Sequence, residues 1–303
     1  MDLEFGGRVA VVTGAGGGLG RQYALALAAR GAKVVVNDVG GGVNGAEESN
    51  GAAMLVANEI RSAGGDAIAN CASVTDFAEV EDMVAVAMQV WGRVDILVNN
   101  AGILRDKSFA KIDLDDFRSV LDVHLMGSVN CTKAVWAGMQ AQGYGRILFT
   151  TSSSGLFGNF GQSNYAAAKM ALVGLMQTLS IEGAKHDIRV NCLAPTAYTR
   201  MTEGMLDHRA AELLTPEAVV PAMLVLAHER APSRAILCAG AGTFEAAHIT
   251  LTDGVHLGVD ADVANRLAQS LGRVMCRDGS FVPESGSVQG LNEIEKAAAS
   301  GIN

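Results

Sequence analysis

Val9-Ala10-Val11-Val12-Thr13-Gly14-Ala15-Gly16-Gly17-Gly18-Leu19-Gly20 decides how the rest of the chain is read. Four apolar residues in a row, bounded by a glycine turn, read as a strand buried on both faces. The glycines at 14, 18 and 20 form Gly-x-x-x-Gly-x-Gly, and the stretch Arg21 to Arg30 that follows is helical in character. A strand, a tight glycine turn and a helix in that order aim unpaired backbone N–H groups and the positive helix end at a pyrophosphate. The competing reading is a turn that only connects its neighbours.

Eighteen residues beyond Gly20, Asp38 closes the strand Lys33-Val34-Val35-Val36-Asn37. A carboxylate there accepts hydrogen bonds from the hydroxyls of an adenine ribose and repels a 2′-phosphate, which favours NAD over NADP. No Arg or Lys lies between Lys33 and Arg61 to receive that phosphate. Alternatively, Asp38 merely begins the next loop. The glycine-rich stretch Gly40 to Gly51 is longer than a tight connection needs, and is read either as a solvated loop or as a cover for the adenine side.

Tyr165 and Lys169 stand four residues apart in Asn164-Tyr165-Ala166-Ala167-Ala168-Lys169, thirteen residues after Ser152. On a helix this step puts phenol and ammonium on one face, where the positive charge lowers a phenol pKa that starts near ~10. A Tyr so placed exchanges a proton near neutral pH. The pattern alone is weak, since an Ala-rich helix carries it by chance, but the nucleotide motif supplies context.

These motifs resemble those of the short-chain dehydrogenase/reductase family over about residues 6 to 255. Asn99-Asn100-Ala101-Gly102 after the strand Val94 to Val98, Thr151-Ser152-Ser153-Ser154-Gly155 after Arg146 to Phe149, and Asn191-Cys192-Leu193-Ala194-Pro195 complete the set in family order. Closer resemblance lies in Asn37 to Gly41, Gly102 to Phe109, Gly155 to Gln162 and Thr199 to Thr202, which are similar to the (3R)-hydroxyacyl-CoA dehydrogenase parts of type 2 peroxisomal multifunctional enzymes. That resemblance implies oxidation of a 3-hydroxyacyl-CoA to the 3-ketoacyl-CoA. A 17β-hydroxysteroid dehydrogenase or another small-molecule ketoreductase is the alternative, and a nucleotide-binding protein without chemistry is a third.

The resemblance also implies roles. Tyr165 is the general acid/base, Ser152 holds the substrate oxygen, and Lys169 donates to the nicotinamide ribose and lowers the Tyr165 pKa. Gly14, Gly18, Leu19, Gly20 and Asp38 form the nucleotide site, Ser73 and Val74 border the adenine, and Asn100, Ala101 and Gly102 line the ribose and pyrophosphate path. Pro195 to Thr199 meet the nicotinamide amide, although Thr196 stands where relatives usually have Gly. His124 occupies a position where many relatives carry Asn, and either joins a proton relay through a pKa near ~6.5 or packs as a neutral imidazole. Arg105, Lys107 and Arg200 are candidate partners for CoA phosphates.

Strands near 8–12, 33–37, 66–70, 94–98, 146–150, 188–193 and 234–239 alternate with helical stretches. This implies an α/β fold, a doubly wound parallel sheet of about seven strands in the Rossmann-type order 3-2-1-4-5-6-7. The expected division is a dehydrogenase domain over 1–255 and an appendage over 256–303, with helical stretches at Val263 to Leu271 and Leu291 to Ala299. A net charge of −9 argues against a nucleic-acid surface. The amino terminus shows no secretory segment or membrane span, and Ser300-Gly301-Ile302-Asn303 is not a peroxisomal address, so a cytoplasmic protein is expected. Nor does the chain show the hydratase and lipid-carrier parts found in the animal multifunctional enzymes. The five cysteines, Cys71, Cys131, Cys192, Cys238 and Cys276, lack metal-ligand spacing and read as reduced packing residues; no metal is expected. Between Tyr165 and Ile181 the helix Asn164 to Glu182 carries Lys169 as its sole charge. Its apolar circumference, beside the charge-poor segment Asp116 to Gln142, points to a homodimer or homotetramer; cover by the chain's own tail is the alternative.

Overall fold

The computed structural model describes residues 2–41, 51–201 and 208–300. The glycine-rich stretch 42–50, Thr202 and the carboxyl-terminal residues 301–303 lie outside the described residues. Contacts divide the chain into two compact units, Met1–Ala246 and Ala247–Asn303.

The first unit opens as β1 (Val9–Thr13), α1 (Gly18–Ala28), β2 (Lys33–Asn37), α2 (Gly51–Ser62), β3 (Asp66–Asn70), α3 (Phe77–Trp91) and β4 (Ile96–Asn99). It continues with α4 (Leu114–Leu121), a π turn at Asp122–Met126, α5 (Gly127–Gln142), β5 (Gly145–Thr150), α6 (Ser153–Phe157) and α7 (Ser163–Gly183). Then come β6 (Ile188–Pro195), α8 (His208–Leu213), α9 (Val220–Ala227), β7 (Ile236–Gly240) and β8 (Thr243–Ala247). The sheet order is β3-β2-β1-β4-β5-β6-β7-β8, and the pairings from β3 through β7 are all parallel. Every residue of β1, β4 and β5 is buried, because helices cover both faces; that is why their central residues are apolar. The order reverses between β1 and β4, which opens a crevice at their carboxyl ends.

The eighth strand goes beyond the expected seven. It follows β7 through Ala241 (φ 49°) and Gly242 (φ 73°), a pair of left-handed residues suited to a two-residue hairpin. Its residues Thr243 to Ala246 are exposed, so no buried apolar run announces it. Expectation also fails for two cysteines: Cys71 and Cys276 are exposed rather than packed, while Cys131 and Cys192 are buried and Cys238 is half-buried.

In the second unit, Leu251 and Phe281 form an isolated antiparallel bridge, and the helices are α10 (Val263–Val274) and α11 (Ser287–Ala299). Neither helix buries a residue. Among the described residues no helix is long and apolar enough to cross a membrane.

Candidate active site

Thr13, the last residue of β1, ties the glycine turn to the loop after β4. Its Oγ1 accepts from the backbone N–H of Asn100 (3.0 Å) and of Ala101 (3.1 Å), while Asn100 Nδ2 donates to the carbonyls of Thr13 (3.0 Å) and Gly14 (3.1 Å). Sequence reasoning passed over Thr13, although a hydroxyl between a buried strand and a glycine turn was a usable signal. Gly14 has φ +63°, and a Cβ there would lie 2.8 Å from Ala101 Cα; at Gly20 it would lie 2.2 Å from the Gly14 carbonyl oxygen. Both positions therefore demand glycine, which brings α1 close to the turn.

At the end of β2 the Asp38 carboxylate is held on both sides. Oδ2 accepts from Gly16 N–H (2.8 Å) and Oδ1 from Gly40 N–H (2.7 Å). A cavity of about 600 Å³ opens here, lined by Gly14, Gly18, Leu19, Asp38 and Thr199. Ser73, Val74, Asn100, Ala101 and Gly102 complete the predicted residues in its wall. A cradle that a Cβ would fill, backbone donors at a helix start and a fixed carboxylate fit a dinucleotide.

Ser152, Tyr165, Lys169, Pro195 and Thr196 are not among the described lining of this cavity. Thr196 N–H donates instead to the Ala239 carbonyl (2.8 Å), tying the segment to β7. Ser152 precedes α6 in extended conformation, its Oγ accepting from Ser154 N–H at 3.2 Å. Its side chain acts on the Tyr165 phenol, favouring the ionised form. Lys169 stands one turn along α7, with Nζ donating to the Thr150 carbonyl at 2.5 Å and lying 5.4 Å from the Tyr165 ring centre. Gly155 allows this closeness: a Cβ there would lie 2.8 Å from Lys169 Cβ.

Electrostatics correct one expectation. Burial pushes the Tyr165 phenol above its ordinary value, Ser152 opposes that rise, and Asp106 reinforces it. Burial also lowers Lys169 to about 7. The ammonium therefore does not hold the phenol down: it is directed at the Thr150 carbonyl, and burial weakens its own hold on a proton.

His124 lies in the π turn, buried, with Nε2 2.8 Å from the Ile103 carbonyl oxygen and 3.1 Å from Ile103 N. Its ring meets Tyr165 edge-on at 5.2 Å between centres. Gly102 makes room for it, since a Cβ there would lie 2.3 Å from His124 Cε1. Burial, then the Lys169 charge, holds His124 well below its usual pKa. Its ring is therefore neutral near pH 7, and the structure gives it contacts that position Ile103 and Tyr165 rather than a titrating role. Arg105 and Lys107, the candidate CoA cations, both bind Asp116, at 2.7 and 2.9 Å.

A family model described as short chain dehydrogenase matches residues 8–210. The peroxisomal hydratase-dehydrogenase-epimerase of Saccharomyces cerevisiae is 54% identical over 228 residues, covering 75% of this chain and 25% of that protein. Full-length peroxisomal multifunctional enzyme type 2 from Drosophila melanogaster superposes with a TM-score of 0.80 at 37% identity, over 96% of this chain and 49% of that one. The chain thus spans only part of these multifunctional relatives. A 7α-hydroxysteroid dehydrogenase complexed with NADH and 7-oxo glycochenodeoxycholic acid superposes with a TM-score of 0.72 at 30% identity, over 79% of this chain and 95% of that one. Glycine turn, strand order and family match agree: the chain belongs to the short-chain dehydrogenase family.

Proposed function

We propose that the protein is an NAD-dependent dehydrogenase that oxidises a (3R)-3-hydroxyacyl-CoA to the 3-ketoacyl-CoA. The observation that carries the reading is Ser152 acting on the Tyr165 phenol, with Lys169 buried one turn along the same helix. Bound NAD supplies the hydride acceptor. Gly14, Gly18, Leu19 and Gly20 hold its pyrophosphate, Asp38 its adenine ribose, and Ser73, Val74, Asn100, Ala101, Gly102, Pro195, Thr196 and Thr199 the remainder. Ser152 Oγ donates to the substrate oxygen as negative charge develops on it, and Tyr165 takes the hydroxyl proton. Because burial raises the phenol, its acid form serves reduction directly. Oxidation needs that proton lost first, so its rate rises with pH through the alkaline range. Lys169 donates to the nicotinamide ribose, and His124 positions the ring of Tyr165.

Support for the thioester comes from the names of the multifunctional relatives. Likeness to the 7α-hydroxysteroid dehydrogenase supports a steroid alcohol as the second reading. Steady-state assays with NAD and either a (3R)-3-hydroxyacyl-CoA or a 17β-hydroxysteroid decide between them: turnover of the steroid alone overturns the first reading.

The proposal extends to assembly and location. Residues 1–255 form the dehydrogenase domain and 256–303 its appendage. Helix α7 leaves Met170 and Ile181 exposed, and a Cβ on Gly174 would meet nothing within 4 Å, so this face pairs with a second copy in a homodimer or homotetramer. A cytoplasmic location is part of the reading, and fractionation separates it from the peroxisome of the relatives' names.

A further inference from the structure

The loop leaving β6 folds back over the glycine turn. Thr199 Cγ2 lies 3.5 Å from where a Cβ on Gly18 would stand, and Arg200 Nη2 lies 3.4 Å from the same point on Gly17. Met201 N–H donates to Thr199 Oγ1 at 3.2 Å, which sets the local turn of this segment. Gly17 is the residue before α1, so the Arg200 guanidinium stands at the amino end of that helix and lines the same cavity as Asp38.

By itself that is a poor place for a cation. A helix start carries roughly +0.5 of a charge. The first turn of α1 contains no carboxylate to offset it. Both oxygens of Asp38 are engaged by the Gly16 and Gly40 N–H groups. Among the described residues Arg200 makes no ion pair or side-chain hydrogen bond. Arg105, also in the cavity wall, is bound to Asp116. An anion between the guanidinium and the N–H groups of the turn turns two like-signed fields into a clamp, with charge-assisted hydrogen bonds on both sides.

We propose that Arg200 supplies the counter-charge for the diphosphate of the bound dinucleotide, from its place beside the glycine turn. The inference rests on the dinucleotide reading of the cavity. It also removes Arg200 from the candidates for CoA phosphates.

Equilibrium binding tests it without turnover. NADH is titrated by fluorescence, and ADP-ribose and adenosine by calorimetry, against wild type, Arg200→Ala and Arg200→Lys. The alanine variant should bind NADH and ADP-ribose roughly ten- to a hundredfold more weakly, the loss expected for charge-assisted hydrogen bonds. Adenosine, which has no phosphate, should bind all three proteins alike and thereby report that the site is folded. Lysine should recover part of the loss. A wild type that binds NADH beside an alanine variant that binds it and ADP-ribose equally well overturns the role of Arg200 alone. So does a variant that loses only affinity for the acyl-CoA. A wild type that binds neither NADH nor ADP-ribose overturns the dinucleotide reading together with this inference.

Discussion

Replacing Lys169 with Met should stabilise the protein near neutral pH while abolishing its chemistry. Lys169 is buried, and burial lowers its pKa from 10.5 to about 7. That gap corresponds to roughly 5 kcal/mol of preference against the charged form in the folded state. Between the two values the unfolded chain binds the proton that the folded chain has released, so wild-type stability rises with pH across this window. Below about pH 7 both states are protonated and the penalty is complete; above about pH 10.5 it is gone. Met is an unbranched side chain one atom shorter with no proton to bind, but it leaves the Thr150 carbonyl without the Lys169 donor, at a cost of about 1–3 kcal/mol. Near pH 7 the variant should be more stable by ~1–3 kcal/mol, and by pH 9 roughly 2 kcal/mol of that difference should have disappeared. Urea unfolding of both proteins at intervals from pH 6 to 9, without nucleotide, reads the difference directly. Parallel stability curves would mean that Lys169 keeps an ordinary pKa inside the fold, and the electrostatic account of the site would fall with that result.

Tyr165→Phe should lower turnover by roughly 10²–10⁴-fold with NADH affinity nearly unchanged, and wild-type turnover in this variant would refute the general acid/base role. Asp38→Ala should narrow or reverse the preference for NAD over NADP, measured as the ratio of kcat/KM for the two; a wild type that prefers NADPH would end the assignment. Gly102→Ala forces a methyl against His124 Cε1 and should cost about 1–3 kcal/mol in urea unfolding, a loss that His124→Asn in the same chain should partly restore. Ile181→Glu should break the assembly that sedimentation at micromolar concentration reveals for the wild type; a wild-type monomer would remove α7 as an interface.

The sheet and the place of its crevice were legible in the sequence because parallel strands covered on both faces need apolar centres, and residues 9–12, 34–36, 96–98 and 147–149 supply them. Glycines at 14 and 20 were equally legible, since a turn that packs a helix on its own carbonyl leaves no space for a Cβ. Ser152, Tyr165 and Lys169 could be paired by spacing, as a helix turn converts a four-residue step into proximity. What spacing does not encode is how deeply a group is buried and which partners reach it from distant parts of the chain. Desolvation raises Tyr165 and lowers Lys169, reversing the pKa logic drawn from their adjacency. Asp116 claims Arg105 and Lys107 from another element, and Ile103 receives the His124 ring. Arg200 remains exposed in the fold, and only the course of the loop after β6 sets it beside Gly17. Local patterns fix elements and their order through backbone geometry, whereas charge states and clamps arise from contacts across long sequence separations, and only the tertiary structure decides those.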